Sequence, residues 1–261
     1  MALIERNDTG AVARLTLNNP ERLNALSDAM LAALMDHLAA LAADSQIRAV
    51  ILAGAGKVFC AGHDLKEMTA GRNADDNGRA YFSNLFNRCA AAMLAIRALP
   101  QPVIAEVHGI ATAAGCQLVA SCDMAIAAEG TRFGVNGVNI GLFCSTPMVA
   151  LSRNIPRKQA FEMLTTGAFI DAARAAELGL INRAVPAGNL TDETMQLAAV
   201  VAAKLGGAVR IGKRAFYEQA ELPLEQAYLH TGAAMTENMM LEDAAEGIAA
   251  FLDKRAPDWS Q

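Results

Sequence analysis

Two stretches decide the reading: Phe59-Cys60-Ala61-Gly62-His63-Asp64-Leu65 and, some fifty residues on, His108-Gly109-Ile110-Ala111-Thr112-Ala113-Ala114-Gly115-Cys116-Gln117. Each sets small residues where an apolar strand gives way to a helix. Small residues at such a junction leave backbone N–H groups unshielded, open to a ligand. Two N–H groups from separate junctions, brought together by the fold, can hold one oxygen that gains negative charge in a reaction. The second stretch ends on Gln117. Its amide neither takes nor gives a proton near neutral pH.

Working outward, residues 3–6 and 11–17 read as two strands joined at Asp8-Thr9-Gly10, and Asn18-Asn19-Pro20 ends the second. Ser27 is placed to cap a helix whose apolar stripe is Met30, Leu31, Leu34, Leu38 and Leu41. Residues 49–52 form a short buried strand. Residues 66–79 are polar and Gly-containing and read as a mobile loop or lid. A long helix over 80–99 stops before Pro100-Gln101-Pro102; then come a strand at 103–107, a helix at 113–121 and a strand at 124–127. This alternation predicts an α/β core with parallel strands. From Pro156 onward helices dominate, Gly206-Gly207 separates two of them, and 221–247 supplies another long helix or a pair.

Composition bounds the partners. The 261 residues are 53% hydrophobic and 19% charged, enough for a large core. The net charge of −5 and the lack of a basic run argue against nucleic acid as a partner. The apolar segment 89–98 is short for a bilayer and is interrupted by Arg97, so no membrane is expected. Five cysteines without a Cys-x-x-Cys pair point to buried, reduced thiols. With no visible signal or transit segment at the start, the expected compartment is the cytoplasm.

At this point a resemblance becomes specific. Asn19-Pro20-Glu21-Arg22-Leu23-Asn24-Ala25-Leu26, the two opening stretches, Cys122-Asp123-Met124-Ala125, Phe133-Gly134, Leu164-Thr165-Thr166-Gly167, Ala176-Glu177-Leu178-Gly179-Leu180 and 246–255 follow in order. Together they resemble the crotonase (enoyl-CoA hydratase/isomerase) superfamily over nearly the whole chain. Residues 113–123 and 141–147 resemble one branch of it in particular. The resemblance implies a spiral of ββα units (residues 1–200) carrying the site, followed by a C-terminal helical trimerisation region (201–261). It implies a homotrimer or dimer of trimers that binds an acyl-CoA thioester. No separate cofactor or metal is implied, because coenzyme A is part of the substrate.

The resemblance assigns the oxyanion N–H groups to Ala61 and Ala114. The family usually has glycine at the second place; alanine keeps the N–H and adds a methyl group. It assigns CoA contacts to Arg22, Ala25 and the backbone of Ala61, Gly62, His63, Asp64 and Leu65. Phe251 and Lys254 would come from an adjacent subunit. The two glutamates that share a water in the hydratases fall on Gln117 and, four residues after Phe133, on Gly137. Neither does acid–base work. The paired change Gln117→Glu with Gly137→Glu is expected to restore hydration, provided that Gly137 does not need a left-handed backbone.

The remaining candidates have modest roles. Asp64 reads as a helix cap, and His63, directly after Gly62, as pointing to CoA or solvent. Gln117 orients water or simply packs. Asn136 and Asn139 position without titrating, Cys144 and Ser145 lie in a neighbouring loop, and Glu67 reads as a solvated lid residue. Three functions compete: a crotonase-type enzyme (hydratase, isomerase, decarboxylase or thioesterase), a non-catalytic acyl-CoA-binding or modulating protein, and an RNA-associated homologue.

Overall fold

The computed structural model describes residues 2–259. The chain opens with β1 (Ile4–Thr9), β2 (Val12–Leu17), α1 (Asp28–Ala42) and β3 (Ala49–Gly54). Next come α2 (Leu65–Gly71), α3 (Arg79–Ala98), β4 (Val103–Val107), β5 (Ile110–Thr112) and α4 (Ala114–Ser121). The middle holds β6 (Met124–Ala128), β7 (Arg132–Gly134), α5 (Pro147–Asn154), α6 (Arg157–Thr166), β8 (Phe169–Asp171), α7 (Ala172–Leu178) and β9 (Arg183–Val185). Four helices follow: α8 (Leu190–Ala202), α9 (Gly206–Gln219), α10 (Leu224–Met239) and α11 (Glu242–Leu252).

The strands form a six-stranded sheet in the order β1-β2-β3-β4-β6-β9 and a three-stranded sheet in the order β5-β7-β8. Only the β1–β2 hairpin is antiparallel in the larger sheet; every later pair there is parallel. Parallel neighbours need crossovers, and the chain supplies them as a spiral: a strand in the large sheet, a strand in the small one, then a helix. β4-β5-α4 and β6-β7-α5 are two such turns. The buried strand β3, Ala49–Gly54, reads as a continuous apolar run because both faces of the sheet are covered.

Ser27 caps α1, its Oγ accepting from the Met30 N–H at 3.1 Å, and Met30, Leu31, Leu34, Leu38 and Leu41 are buried. Each such side chain contributes about 1.5–3 kcal/mol of hydrophobic stabilisation. The expected mobile lid at 66–79 is different in kind. Its first part is α2, and the turn after it is held by Asp76, which accepts from Gly78 N at 2.9 Å and Ala80 N at 2.8 Å to start α3. The polar, Gly-containing composition includes the residues that make these caps. The C-terminal stretch at 221–247 resolves into two helices, α10 and α11.

α8 packs on the large sheet through Ala198 and Ala202 against Val12, Ala49, Ile51 and Ile104. α9 is fastened by a buried cation. Lys213 Nζ donates to Ile96 O at 3.1 Å, Gln101 O at 3.0 Å and Asp123 Oδ2 at 2.7 Å. Tyr217 OH donates to the other carboxylate oxygen at 2.7 Å, and Arg97 stacks over the Tyr217 ring at 4.2 Å. Burial pulls the Lys213 pKa down, opposed by Asp123. Removing one member of such a pair leaves the other charge buried and uncompensated, which typically costs about 3–5 kcal/mol. Lys213→Met should therefore lower unfolding stability by that amount in urea denaturation, whereas substitution of the exposed Lys158 should leave it within about 0.5 kcal/mol.

Candidate active site

The site begins in the loop before α1. Leu23 and Asn24 both adopt left-handed backbone, φ 53° and 51°. Asn24 tolerates this conformation because its side chain is fully used. Its Oδ1 accepts from Asn19 N at 2.9 Å, and its Nδ2 donates to Ala55 O at 2.8 Å and Val58 O at 2.9 Å. Asn24 thus bolts residues 19–26 to the segment leaving β3, a role that the sequence reading missed. Along that seam Ala61 N donates to Leu23 O at 3.1 Å and Leu26 N to Gly62 O at 2.8 Å.

The first of these bonds corrects the oxyanion assignment at Ala61. Its N–H faces Leu23, away from the Ala114 junction. The parallel bridge between Leu26 and His63 sets the parity. In such a bridge the flanking groups, Gly62 C=O and Asp64 N–H, point at Leu26, so the His63 N–H points to the opposite side. Gly62 lies on that side with φ +89°, and a Cβ built on it would sit 3.0 Å from Ala113 Cβ and 3.3 Å from Ala114 N. Ala114 is the first residue of α4, where helix N–H groups lack intrahelical partners. Among the described residues neither the His63 nor the Ala114 N–H donates to a protein acceptor. Gly115 lets the two turns close: a Cβ there would come within 2.3 Å of Cys60 O.

Ala113 carries strain. Its φ of 49° and ψ of −119° suit glycine, yet the residue is alanine. Its N–H donates to Gly134 O at 2.9 Å and its carbonyl accepts from Gln117 N at 3.0 Å, which holds it there.

Gln117 is buried on α4, and its Oε1 has no protein partner. Gly137 lies in a short 3-10 turn, Asn136–Ile140, and its φ is not left-handed. The obstacle to a side chain there is steric instead: a Cβ would meet Leu142 O at 2.4 Å and Cys144 Sγ at 2.9 Å. Residues 142–144 thus fill the space where a second carboxylate would start. Asn136 Oδ1 accepts from Thr112 Oγ1 at 2.5 Å, Asn139 Nδ2 donates to Gly167 O at 3.5 Å, and Ser145 Oγ donates to Phe143 O at 3.3 Å. All five cysteines are free and buried. Burial raises the Cys144 thiol pKa and pushes Cys60 and Cys116 up to about 12, so none is a ready thiolate.

Asp64 caps α2, accepting from Lys66 N at 2.9 Å and Glu67 N at 3.3 Å, and pairs with Arg22 at 3.2 Å. Glu67 is half-buried rather than a solvated lid residue, and its Oε2 accepts from the Asp28 N–H at 2.8 Å at the start of α1. His63 does not point to solvent. Its ring packs edge-on against Phe86 at 5.8 Å, with Nδ1 3.4 Å from Leu26 O. Its Nε2 is buried without a protein partner, as are Tyr81 OH and Arg88 Nε. Burial lowers the His63 pKa; Leu26 O and Asp28 raise it and Arg88 lowers it. Tyr81 and Arg88 lie two turns apart on α3 and so share a face, a spacing visible in the sequence but overlooked beside the loop motifs.

Ala25 is buried, and Leu65 is 53% exposed at the head of α2. Phe251, on α11, is 82% exposed within a single chain, and Lys254 follows that helix with φ 56°. Among the described residues no group of three His, Cys, Asp or Glu side chains is arranged to hold a metal, and no single helix is long and apolar enough to cross a membrane.

The comparisons with known proteins settle the kinship. A family model described as enoyl-CoA hydratase/isomerase matches residues 7–261. The chain belongs to the enoyl-CoA hydratase/isomerase family. Its fold is the crotonase fold: an enoyl-CoA hydratase structure from Mycobacterium smegmatis superposes with a TM-score of 0.96 at 53% identity, covering 100% of both chains. The branch resembled by residues 113–123 and 141–147 is also found. The human mitochondrial enoyl-CoA hydratase domain-containing protein 3 is 46% identical over 95% of this chain and 80% of its own length. The crystal structure of the human protein matches with a TM-score of 0.94 at 44% identity, over 99% of this chain and 100% of that one. A Thermus thermophilus relative named putative enoyl-CoA hydratase is 35% identical over 96% of this chain and 98% of its own length. These matches also overturn the cytoplasmic expectation, since the frog and human relatives, each 46% identical over 95% of this chain, are mitochondrial proteins. The lack of a visible leader was not a sound basis for a compartment.

The steric findings at the site yield opposite expectations for two neighbouring small residues. Gly137→Glu should destabilise by about 1–3 kcal/mol through overpacking, so the double glutamate restoration fails at this step. Ala113→Gly should relieve the strained backbone and raise stability by up to about 1 kcal/mol, after the entropic cost of glycine. Thermal unfolding of both variants checks the pair.

Proposed function

We propose that this family member binds an acyl-CoA thioester and stabilises the enolate of its acyl group, using the backbone N–H groups of His63 and Ala114 as the oxyanion donors. The observation that carries the reading is the convergence of two unpartnered backbone donors across Gly62. The Gly62 turn approaches Ala114 N so closely that a Cβ at Gly62 would lie 3.3 Å from it. Donors preorganised in a dry site stabilise developing negative charge strongly, about 10²- to 10³-fold per donor in rate. The carbonyl oxygen of a thioester is the acceptor that this pair suits.

Arg22, Ala25 and the backbone of Gly62, His63, Asp64 and Leu65 are the proposed CoA contacts. The Arg22 side chain is 44% exposed beside Asp64, which leaves donors for phosphate. Phe251 and Lys254 act on the CoA of a neighbouring subunit in this reading, within a homotrimer or a dimer of trimers. Support comes from the apolar surface that α10 and α11 leave open, with Leu224, Tyr228, Leu229, Met240 and Phe251 each more than 70% exposed in one chain. Residues 201–261 are then the oligomerisation region. CoA arrives as part of the substrate, with no further cofactor.

Hydration by a glutamate pair is not the reaction favoured here. Gln117 cannot titrate, and Gly137 has no room for a carboxylate. A reaction that starts from the enolate, such as isomerisation or decarboxylation, remains open to the site. The second reading, a non-catalytic acyl-CoA binder, draws on the same missing pair.

Calorimetric titration with acyl-CoAs of several chain lengths should give saturable binding; a folded protein that binds none of them sinks both readings. Gln117→Glu alone should raise crotonyl-CoA hydration by about 10²-fold, the lower end of what one positioned proton-transfer group supplies. No increase in a folded, acyl-CoA-binding variant would mean that position 117 does not face the reacting carbons.

A further inference from the structure

Three buried polar atoms without protein partners belong to the His63 loop and to α3: His63 Nε2, Tyr81 OH and Arg88 Nε. The loop into α2 and the helix α3 are in contact there, since the His63 ring packs on Phe86 of α3 at 5.8 Å. The same charges act on both His63 and Tyr81. Asp28 of α1 and Arg88 of α3 influence each, and Tyr81 also feels Asp64 and Glu67. Asp28 and Arg88 form an ion pair, and the Asp28 N–H is held by Glu67. The charged members are therefore matched, and the ones left over are an imidazole nitrogen, a phenol and one guanidinium N–H. Buried polar groups are rarely left unpaired except where a water, an ion or a ligand completes them.

The tautomer follows from the hydrogen bond. Leu26 O has no proton to give, so Nδ1, 3.4 Å away, carries the hydrogen. Nε2 then presents a bare lone pair. The phenol beside it keeps its proton, because burial and the surrounding carboxylates Asp28, Glu67 and Asp64 raise its pKa. The cluster thus offers one acceptor that can take a proton and, in the phenol, a donor that keeps its own. It is tied to the proposed oxyanion donor by the covalent frame of a single residue.

We propose that the His63 imidazole is the catalytic proton-transfer group of this site: Nε2 takes a proton from C2 of the bound acyl group and returns it. In the forward step the C2–H bond breaks, the proton goes to Nε2, and the electron pair forms the C1–C2 double bond as the carbonyl oxygen becomes the oxyanion. The reverse step restores the thioester. No oxidant, reductant or co-reactant is needed. The assignment rests on the thioester reading above. It moves the proton chemistry from positions 117 and 137 to the opposite wall, formed by the loop into α2 and by α3.

The test is C2-proton exchange into D2O with butyryl-CoA, followed by NMR, alongside calorimetric binding of the same compound. The wild type should exchange. Its rate should rise with pH through one step below the ordinary histidine value of about 6.5 and level off at neutral pH, since the neutral ring is the active form. His63→Gln keeps the backbone N–H. It should bind butyryl-CoA within about 3-fold of wild type, lose at least about 10²-fold in exchange, and lose the pH step. His63→Asn, with thermal unfolding of both variants, guards against a folding defect. In addition, ¹⁵N NMR of the wild-type imidazole should report a neutral ring protonated on Nδ1 at pH 7. Exchange by a wild type that binds, unchanged in either folded variant, overturns the proposal, as does binding without any exchange. Failure of the wild type to bind butyryl-CoA or any other acyl-CoA instead removes the thioester reading and this proposal with it.

Discussion

The structure depends on one close approach, that of the Gly62 turn to the start of α4. Gly62 and Gly115 occupy places where a methyl group would collide with Ala113 or with Cys60 O. The approach is bought by the glycines and by the strained backbone of Ala113, and it is held by bonds from both sides. Asn24 fixes the 19–26 loop to residues 55–58, Leu26 fixes Gly62, and Gly134 fixes Ala113. Two of the straps come from the loop before α1 and the third from β7, a later turn of the spiral. The parallel sheets set the distance between those turns, so the site is a consequence of the architecture.

Within that frame the polar chemistry is displaced. The wall formed by α4 and the 136–144 loop has an amide at Gln117 and a backbone carbonyl and thiol packed against Gly137. The wall formed by α1, α2 and α3 has Asp28, His63, Asp64, Glu67, Tyr81 and Arg88. Most of these neutralise or cap one another: Glu67 on the α1 N-terminus, Asp64 on that of α2, and Asp28 on Arg88. His63 and Tyr81 are exceptions. An unpaired polar atom costs about 1–3 kcal/mol when buried, so several in one cluster beside an open donor pair are a concentrated expense at one place in the molecule.

Much of this was legible in the sequence. The α1 stripe, the parallel strands and the small-residue junctions follow from period and composition, and the ordered motifs carried the family. The proposed oxyanion donor at residue 63 was not legible. Small residues at 61 and 62 mark a junction, but which N–H faces the ligand depends on strand parity. That parity is fixed by Leu26, far upstream in the chain. The crowding of Gly137 depends likewise on how residues 142–144 fold back, and φ preference gives no hint of it. At 66–79 the sequence offered a loop where the first part is helix α2, because polar composition alone does not reveal the caps at Asp64 and Asp76.

Strained and unsatisfied groups also occur at Gln101, Asn77 and Lys254, but several of them meet at the Gly62 junction. Ala113 at φ 49° and the open His63 and Ala114 donors lie around one small volume, and the unpartnered Gln117 Oε1 and His63 Nε2 belong to the same two junctions. Elsewhere buried charge is answered in full: Glu106 meets both guanidinium nitrogens of Arg14 at 2.7 and 2.8 Å, and Lys213 has three acceptors. Buried charge is matched at the sheet and at α9, whereas the Gly62 junction leaves two backbone donors and the His63 ring nitrogen open. Strain persists only where the surroundings over-determine it. Here those surroundings are the straps from Leu26, Asn24 and Gly134, which makes the proposed binding site the region that the rest of the structure supports.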